Sequence, residues 1–205
     1  MTLDDDIALA HALADAAGAA IRPYFRARYD LEIKEDASPV TQADREAEAA
    51  IRALIYRERP NDGVIGEEYG EDRPETERVW VLDPIDGTRA FIAGRPIFGT
   101  LIALLVEGRP VLGLIDQPIS GERWLGAIGR ATLFNGAPVR TRPCPTLSRA
   151  IFATTAPWFC DAFDLLRQAA GDTVLGGDCY NYGLLAAGHV DLVAEEGLKL
   201  HDWAR

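Results

Sequence analysis

The sequence predicts a mixed α/β protein of the α+β kind, with helices and sheets stacked in layers. Three observations carry this. Two N-terminal stretches repeat apolar residues at helical spacing, residues 79–139 alternate apolar runs with turn residues, and short runs of both kinds alternate beyond residue 145. Apolar faces of helices and sheets must be buried against one another, and layering achieves that. With 205 residues, 48% hydrophobic and 26% charged, the chain has the length and composition of a globular protein of one large or two small domains.

Asp4–Asp6 followed by Ile7, Ala10, Leu13, Ala14, Ala17 and Ile21 reads as an amphipathic helix with acids at its N-terminus, where the helix dipole favours them. Leu31 to Lys34 is a short strand and Glu35 to Pro39 a polar loop. Thr41 to about Arg59 is a helix, opened by a capping box at Thr41-Gln42-Ala43-Asp44 and ended by Pro60-Asn61-Asp62-Gly63. Val64-Ile65 is a brief strand leading into Gly66-Glu67-Glu68. From Val79 to Val139 the turns Glu107-Gly108-Arg109-Pro110, Ser120-Gly121-Glu122 and Asn135-Gly136 mark a β-meander, hence an antiparallel sheet. The pattern breaks at Thr141-Arg142-Pro143-Cys144-Pro145. A domain boundary is expected there, with residues 1–143 as an α+β domain and 144–205 as a smaller α/β domain. In the second part the expected order is strand Ala150–Thr154, helix Trp158–Ala170, strand Thr173–Leu175, helix Cys179–Ala187 stopped by Gly188, and strand Val190–Ala194.

The most informative stretch is Asp83-Pro84-Ile85-Asp86-Gly87-Thr88, delivered by the apolar run Val79 to Leu82. Proline fixes the backbone between two carboxylates, and glycine lets the chain approach a ligand closely. Thr88 offers a hydroxyl and an N–H at the start of a short helix, where anions are favoured. Carboxylates beside a phosphate-sized anion site require cations between them. The motif therefore proposes divalent metal and phosphate together, against the plainer alternative of a simple Asp-Pro-x-Asp-Gly turn.

These residues resemble the signature of the inositol monophosphatase-like family of magnesium-dependent, lithium-sensitive phosphatases. Pro39-Val40-Thr41-Gln42-Ala43-Asp44, Gly66-Glu67-Glu68, Gly176-Gly177-Asp178, Asp191 to Glu195 and His201-Asp202-Trp203-Ala204 follow in the family's order. The run from Phe98 to Trp124, with Asp178-Cys179-Tyr180, is most similar to the histidinol-phosphate phosphatase branch. The resemblance implies a five-layer α-β-α-β-α sandwich with a large antiparallel sheet and a smaller second sheet. Family members usually continue well beyond the last aspartate motif, whereas this sequence stops at Arg205. The small sheet is therefore expected to be incomplete, and this form unstable, weakly active or dependent on a dimer partner.

By the same resemblance Glu67, Asp83, Asp86 and Asp202, with the Ile85 carbonyl, hold two or three metal ions. An all-oxygen set suits Mg²⁺ or Mn²⁺ rather than zinc. Thr88 and Glu67 are expected to orient the attacking water, with Asp44 holding Thr88. For Asp44 the capping box is the competing structural role, and for Asp202 a helix cap. Ile85, Asp86, Gly87 and Thr88 are expected at the phosphate, and Gly177, Asp178 and Glu195 at the organic part of the substrate. Asp178 and Glu195 have the alternative of being exposed acids at element ends. Cys179 and Tyr180 are candidates for the same region, and Arg89 and Arg95 pair either with phosphate or with surface acids.

Composition excludes several classes. A net charge of −11 argues against a general nucleic-acid surface, and no apolar run approaches the roughly 20 residues of a membrane helix. The acidic N-terminus lacks the pattern of a secretory signal, so a cytoplasmic protein is expected. Cys144, Cys160 and Cys179 are odd in number and widely spaced, as free thiols would be. His11 is expected on a surface helix face, His189 in a turn, and His201 in packing or beside the metal site. No serine, cysteine or histidine arrangement points to a covalent intermediate. The expected protein is a homodimeric phosphomonoesterase acting on a small phosphorylated metabolite. Histidinol phosphate is the first candidate and inositol 1-phosphate the second. A non-catalytic relative that only binds metal or a partner is the reading from another class.

Overall fold

The computed structural model describes residues 2–27, 31–33 and 39–200, except the side chains of 31–33 and 39–41. The first helix, α1 (Leu3–Ile21), buries Leu9, Ala10, Leu13, Ala14, Ala17 and Ile21. Its cap is Thr2, whose hydroxyl accepts from the Asp5 N–H at 3.3 Å while Asp5 accepts from the Thr2 N–H at 2.9 Å. Two short strands, β1 (Leu31–Ile33) and β2 (Pro39–Thr41), pair antiparallel. Pro39 thus starts a strand instead of closing a loop. Next, α2 (Gln42–Glu58) buries Ala43, Ala47, Ile51 and Ile55. The capping box expected at Thr41 involves a side chain outside the described set.

The large sheet is built from β3 (Gly63–Gly66), β4 (Gly70–Asp72), β5 (Arg78–Asp86), β6 (Gly99–Val106), β7 (Arg109–Gln117), β8 (Glu122–Ala127), β9 (Leu133–Phe134) and β10 (Ala137–Pro138). Between β5 and β6 lies the short helix α3 (Thr88–Ile92). Strand order is β10-β9-β8-β7-β6-β5-β3-β4. The meander from β5 to β10 is antiparallel as expected. However, β3 and β5 pair in parallel, so the sheet is mixed. The hairpin β3–β4 turns outward, and the chain then returns to add β5 on the other side of β3. Alternation along β5 sends Trp80 and Leu82 into the cluster formed with α1 and α2, and Val79 and Val81 to the opposite face.

The second part contains β11 (Ile151–Thr154), α4 (Phe163–Ala169), β12 (Asp172–Leu175), α5 (Tyr180–Ala186) and β13 (Leu192–Val193), with a wholly parallel sheet ordered β12-β11-β13. The helix expected over Trp158–Ala170 begins only at Phe163. Pro157–Phe159 is a 3₁₀ turn, and Cys160 is extended. Glu196 explains the break: its N–H donates to the Phe159 carbonyl at 2.7 Å and its carboxylate accepts from the Asp161 N–H at 2.9 Å. A long-range pairing takes the backbone groups that a helix would have used. Gly183 brings α5 onto Trp124 of β8, where a Cβ would lie 2.7 Å from the indole. No helix among the described residues is long and apolar enough to cross a membrane.

Candidate active site

Buried on both faces, β5 carries its two carboxylates to the end of the sheet, where pairing with β6 slips between Asp83 and Asp86. The slip lets the backbone curl. Asp83, 3% exposed, accepts the Ile85 N–H at 3.1 Å, and the buried Thr100 hydroxyl donates to the Pro84 carbonyl at 2.7 Å. Gly87 sits at φ 88°, where a Cβ would also lie 2.9 Å from the Asp178 carboxylate. Thr88 opens α3 and donates its hydroxyl to the Ile85 carbonyl at 3.1 Å.

At this point lies a cleft of about 400 Å³, lined by Glu67, Asp83, Ile85, Asp86, Gly87 and Thr88. The second part contributes Thr155, Trp158, Phe159 and Asp178, and Arg89, Arg95 and Lys199 complete the wall. A larger hollow of about 490 Å³ between β7, β8 and α5 is apolar and has no carboxylate, imidazole, amine or guanidinium in its lining. Chemistry therefore favours the smaller cleft. Its acidic and carbonyl donors are all hard oxygens, matching magnesium or manganese. Among the described residues, no three His, Cys, Asp or Glu side chains close into a single metal cage, although Glu67, Asp83, Asp86 and Asp178 line one cleft.

Glu67 owes its place to Glu48, which the sequence reading did not single out. Glu48 is wholly buried and accepts from the Glu68 N–H at 2.7 Å, the Tyr69 N–H at 3.2 Å and Arg52 at 2.7 Å. It pins the turn carrying Glu67. Its i,i+4 spacing to Arg52 was the visible signal. Asp44, 1% exposed, lies in the first turn of α2, outside the cleft's lining.

Asp178 has φ 44°. Burial first, then the charges of Asp86 and Glu195, push its carboxyl up to about 7, against the pull of Arg95 and Arg89. Glu195 lines an adjoining recess of about 130 Å³ that shares Asp86, Thr155, Phe159 and Asp178 with the cleft. Thr155 ties the two acids together. Its N–H (2.8 Å) and hydroxyl donate to Glu195 Oε1, its hydroxyl oxygen accepts the Asp178 N–H at 3.1 Å, and Tyr182 donates to Glu195 Oε2 at 3.1 Å. Nothing in the sequence marked Thr155.

Other expected positions fall elsewhere. Gly177 does not line the cleft; its φ of 120° and the 2.2 Å approach of a Cβ to Asn181 make it a packing glycine, and Gly176 lines the cleft instead. Cys179 lines the recess and donates its N–H to Asp86 at 2.6 Å. Tyr180 turns away, bonding Glu122 at 2.7 Å and stacking edge-on against Trp124. His11 is half-buried, not on an open face, and its Nδ1 lies 3.1 Å from Arg123; burial lowers its pKa. None of Cys144, Cys160 and Cys179 is in a disulfide. Asp202, with His201, lies outside the described residues.

The fold is similar to that of an inositol monophosphatase from Zymomonas mobilis: TM-score 0.89, 56% identity, with 100% of this chain and 81% of that one covered. A sequence profile described as the inositol monophosphatase family matches residues 2–204. The chain therefore belongs to the inositol monophosphatase family, a family of divalent-metal-dependent phosphoric monoester hydrolases. It is 50% identical to a chloroplastic bifunctional phosphatase of Arabidopsis thaliana, matching 98% of this chain but only 60% of that protein's length. It is 41% identical to a histidinol-phosphatase of Streptomyces coelicolor over 98% of this chain and 81% of the relative.

Proposed function

We propose that this chain is the catalytic unit of a Mg²⁺-dependent phosphomonoesterase, with Mn²⁺ as an alternative ion, and that its substrate is histidinol phosphate on the histidine biosynthetic route. The observation that carries the reading is the convergence of Glu67, Asp83, the Ile85 carbonyl, Asp86 and Thr88 on one cleft with Arg89 and Arg95. In this reading Glu67, Asp83, Asp86 and the Ile85 carbonyl, joined by Asp202, hold two or three ions. Bound there, they lower the pKa of water and neutralise phosphate charge.

The protein's own groups do the rest. Glu67 and the Thr88 hydroxyl orient the attacking water and Glu67 takes its proton, with Asp44 supporting Thr88. The Gly87 and Thr88 N–H groups and the two guanidinium groups hold the phosphate oxygens. Water oxygen bonds to phosphorus in line as the phosphorus–oxygen bond to the alcohol breaks; the departing oxygen takes a proton from a solvent water, and the proton taken from the attacking water returns to solvent. Asp178 and Glu195 select the cationic alcohol. The likeness to a histidinol-phosphatase supports this substrate. The 56% identity to an inositol monophosphatase supports inositol 1-phosphate as the second reading. A homodimer in the cytoplasm completes the proposal.

The test is phosphate release from both esters with Mg²⁺, with Mn²⁺, with added Li⁺ and with EDTA. We expect turnover of histidinol phosphate that EDTA and Asp83→Asn abolish and Li⁺ inhibits. Full activity of the variant in excess EDTA is the result that would refute metal-assisted hydrolysis.

A further inference from the structure

Trp158 is 73% exposed and Phe159 37%, yet both line the cleft that holds the metal-ligand candidates. Single exposed aliphatic residues need no explanation, but two consecutive large aromatic side chains in a cleft that carries four carboxylates do. Pro157 opens the 3₁₀ turn bearing them. The bond from the Glu196 N–H to the Phe159 carbonyl, at 2.7 Å, fixes the turn to the far side of the recess. Their rings lie 6.4 Å apart and are inclined by 39°. Phe159 belongs to both the cleft and the recess beside it, and Asp178 does too. A flat aromatic face next to a carboxylate recognises a planar cation through its quadrupole and charge together. It offers little to a ring of hydroxyl groups.

We propose that Trp158 and Phe159 form the recognition wall for the alcohol half of the substrate, and that this wall selects an imidazolium or other planar cationic group over a neutral polyol. The proposal rests on the phosphatase reading above and adds to Asp178 and Glu195 two selecting residues which that reading does not use. Phosphate is gripped at the Gly87 end of the cleft, so the leaving alcohol extends toward the aromatic turn.

Two measurements test it. In the first, kcat/KM is compared for histidinol phosphate and inositol 1-phosphate. Trp158→Ala should lower the ratio of the two roughly two- to thirtyfold, and Trp158→Phe should retain most of it. In the second, tryptophan fluorescence is followed as histidinol or myo-inositol is added with Mg²⁺ and inorganic phosphate. The titration is run in a Trp203→Phe background; of the other tryptophans Trp80 and Trp124 are 0% and 3% exposed, so quenching by histidinol should come from Trp158 and vanish when Trp158→Phe is added. Equal losses on both esters, or quenching that survives the substitution, would overturn the aromatic wall and leave the phosphatase standing. So would a change of oligomeric state in Trp158→Ala with the ratio intact, which would make the turn a protein-docking surface. Hydrolysis of neither ester would sink the phosphatase reading, and the quenching titration would still decide the wall.

Discussion

Gly87 answers to two separate demands, a positive φ and the approach of Asp178 to within 2.9 Å of where a Cβ would stand. An alanine there would carry left-handed backbone strain of about 1–2 kcal/mol and would push Asp178 away from the cleft. Gly87→Ala should therefore lower the melting temperature by roughly 2–8 °C and reduce kcat/KM more on histidinol phosphate than on inositol 1-phosphate. Scanning calorimetry with parallel kinetics would check both; an unshifted melting point would mean that the loop relaxes freely. Thr155 acts at the same scale. Its hydroxyl donates to Glu195 and accepts from the Asp178 N–H, so it positions both acids proposed to contact the substrate. Thr155→Val should raise KM for histidinol phosphate with a smaller change in kcat, and Thr155→Ser should restore it, because only the serine returns the hydroxyl.

Among the elements, β11 is joined to the chain just before β13 through Asp191, which accepts from the Ile151 N–H at 2.7 Å and from Nε and Nη2 of Arg142 at 2.7 and 2.6 Å. Arg142, then the backbone N–H, lowers the Asp191 carboxyl to about 2 from its ordinary 3.8. A depressed carboxylate stabilises the fold fully above the unfolded value, and that contribution fades as pH falls toward the folded one. The gap in urea midpoint between wild type and Asp191→Asn should therefore be constant above about pH 5 and close between there and pH 2. A gap that stayed constant to pH 2 would separate Asp191 from this stabilisation. The parallel sheet that this pair supports ends in β12, where Val174 and Leu175 are 44% and 50% exposed. An apolar edge strand is a site for association, so Leu175→Lys should shift the chain toward monomer in size-exclusion chromatography. An unaltered elution profile would place any self-association elsewhere.

At the scale of the whole molecule, Glu67, Asp83, Asp86 and Asp178 share one cleft, and their mutual repulsion works against folding until cations arrive. Ligand that binds only the folded state stabilises it by about 2.7 kcal/mol at a hundredfold excess over Kd, or roughly 5–11 °C for a chain of this size. Saturating Mg²⁺ should raise the melting temperature on that order. Asp86→Asn should melt higher than wild type in EDTA and respond less to Mg²⁺, since it removes one repelling charge and one ligand. A variant with the full Mg²⁺ response would exclude Asp86 from the metal site.

Several features were legible from residues alone because the forces that make them are local. Helical periodicity gave α1 and α2, turn chemistry gave the meander from β5 to β10, and the Asp83–Thr88 string marked the end of β5 as the site. Contacts between distant parts were not legible. Glu48 reaches the turn at Glu67 from α2, Thr155 links two acids from separate segments, and Glu196 ends a helix it does not belong to. The parallel pairing of β3 with β5, the burial of His11 on Arg123 and the turning of Tyr180 toward Glu122 belong to the same class. The sequence by itself determined α1, α2, the meander and the motif at the end of β5, since spacing, capping and turn preference act within a few residues. Only the tertiary structure decided which side chains from beyond residue 150 line the cleft there, because each is set by burial and hydrogen bonds between residues far apart in the chain.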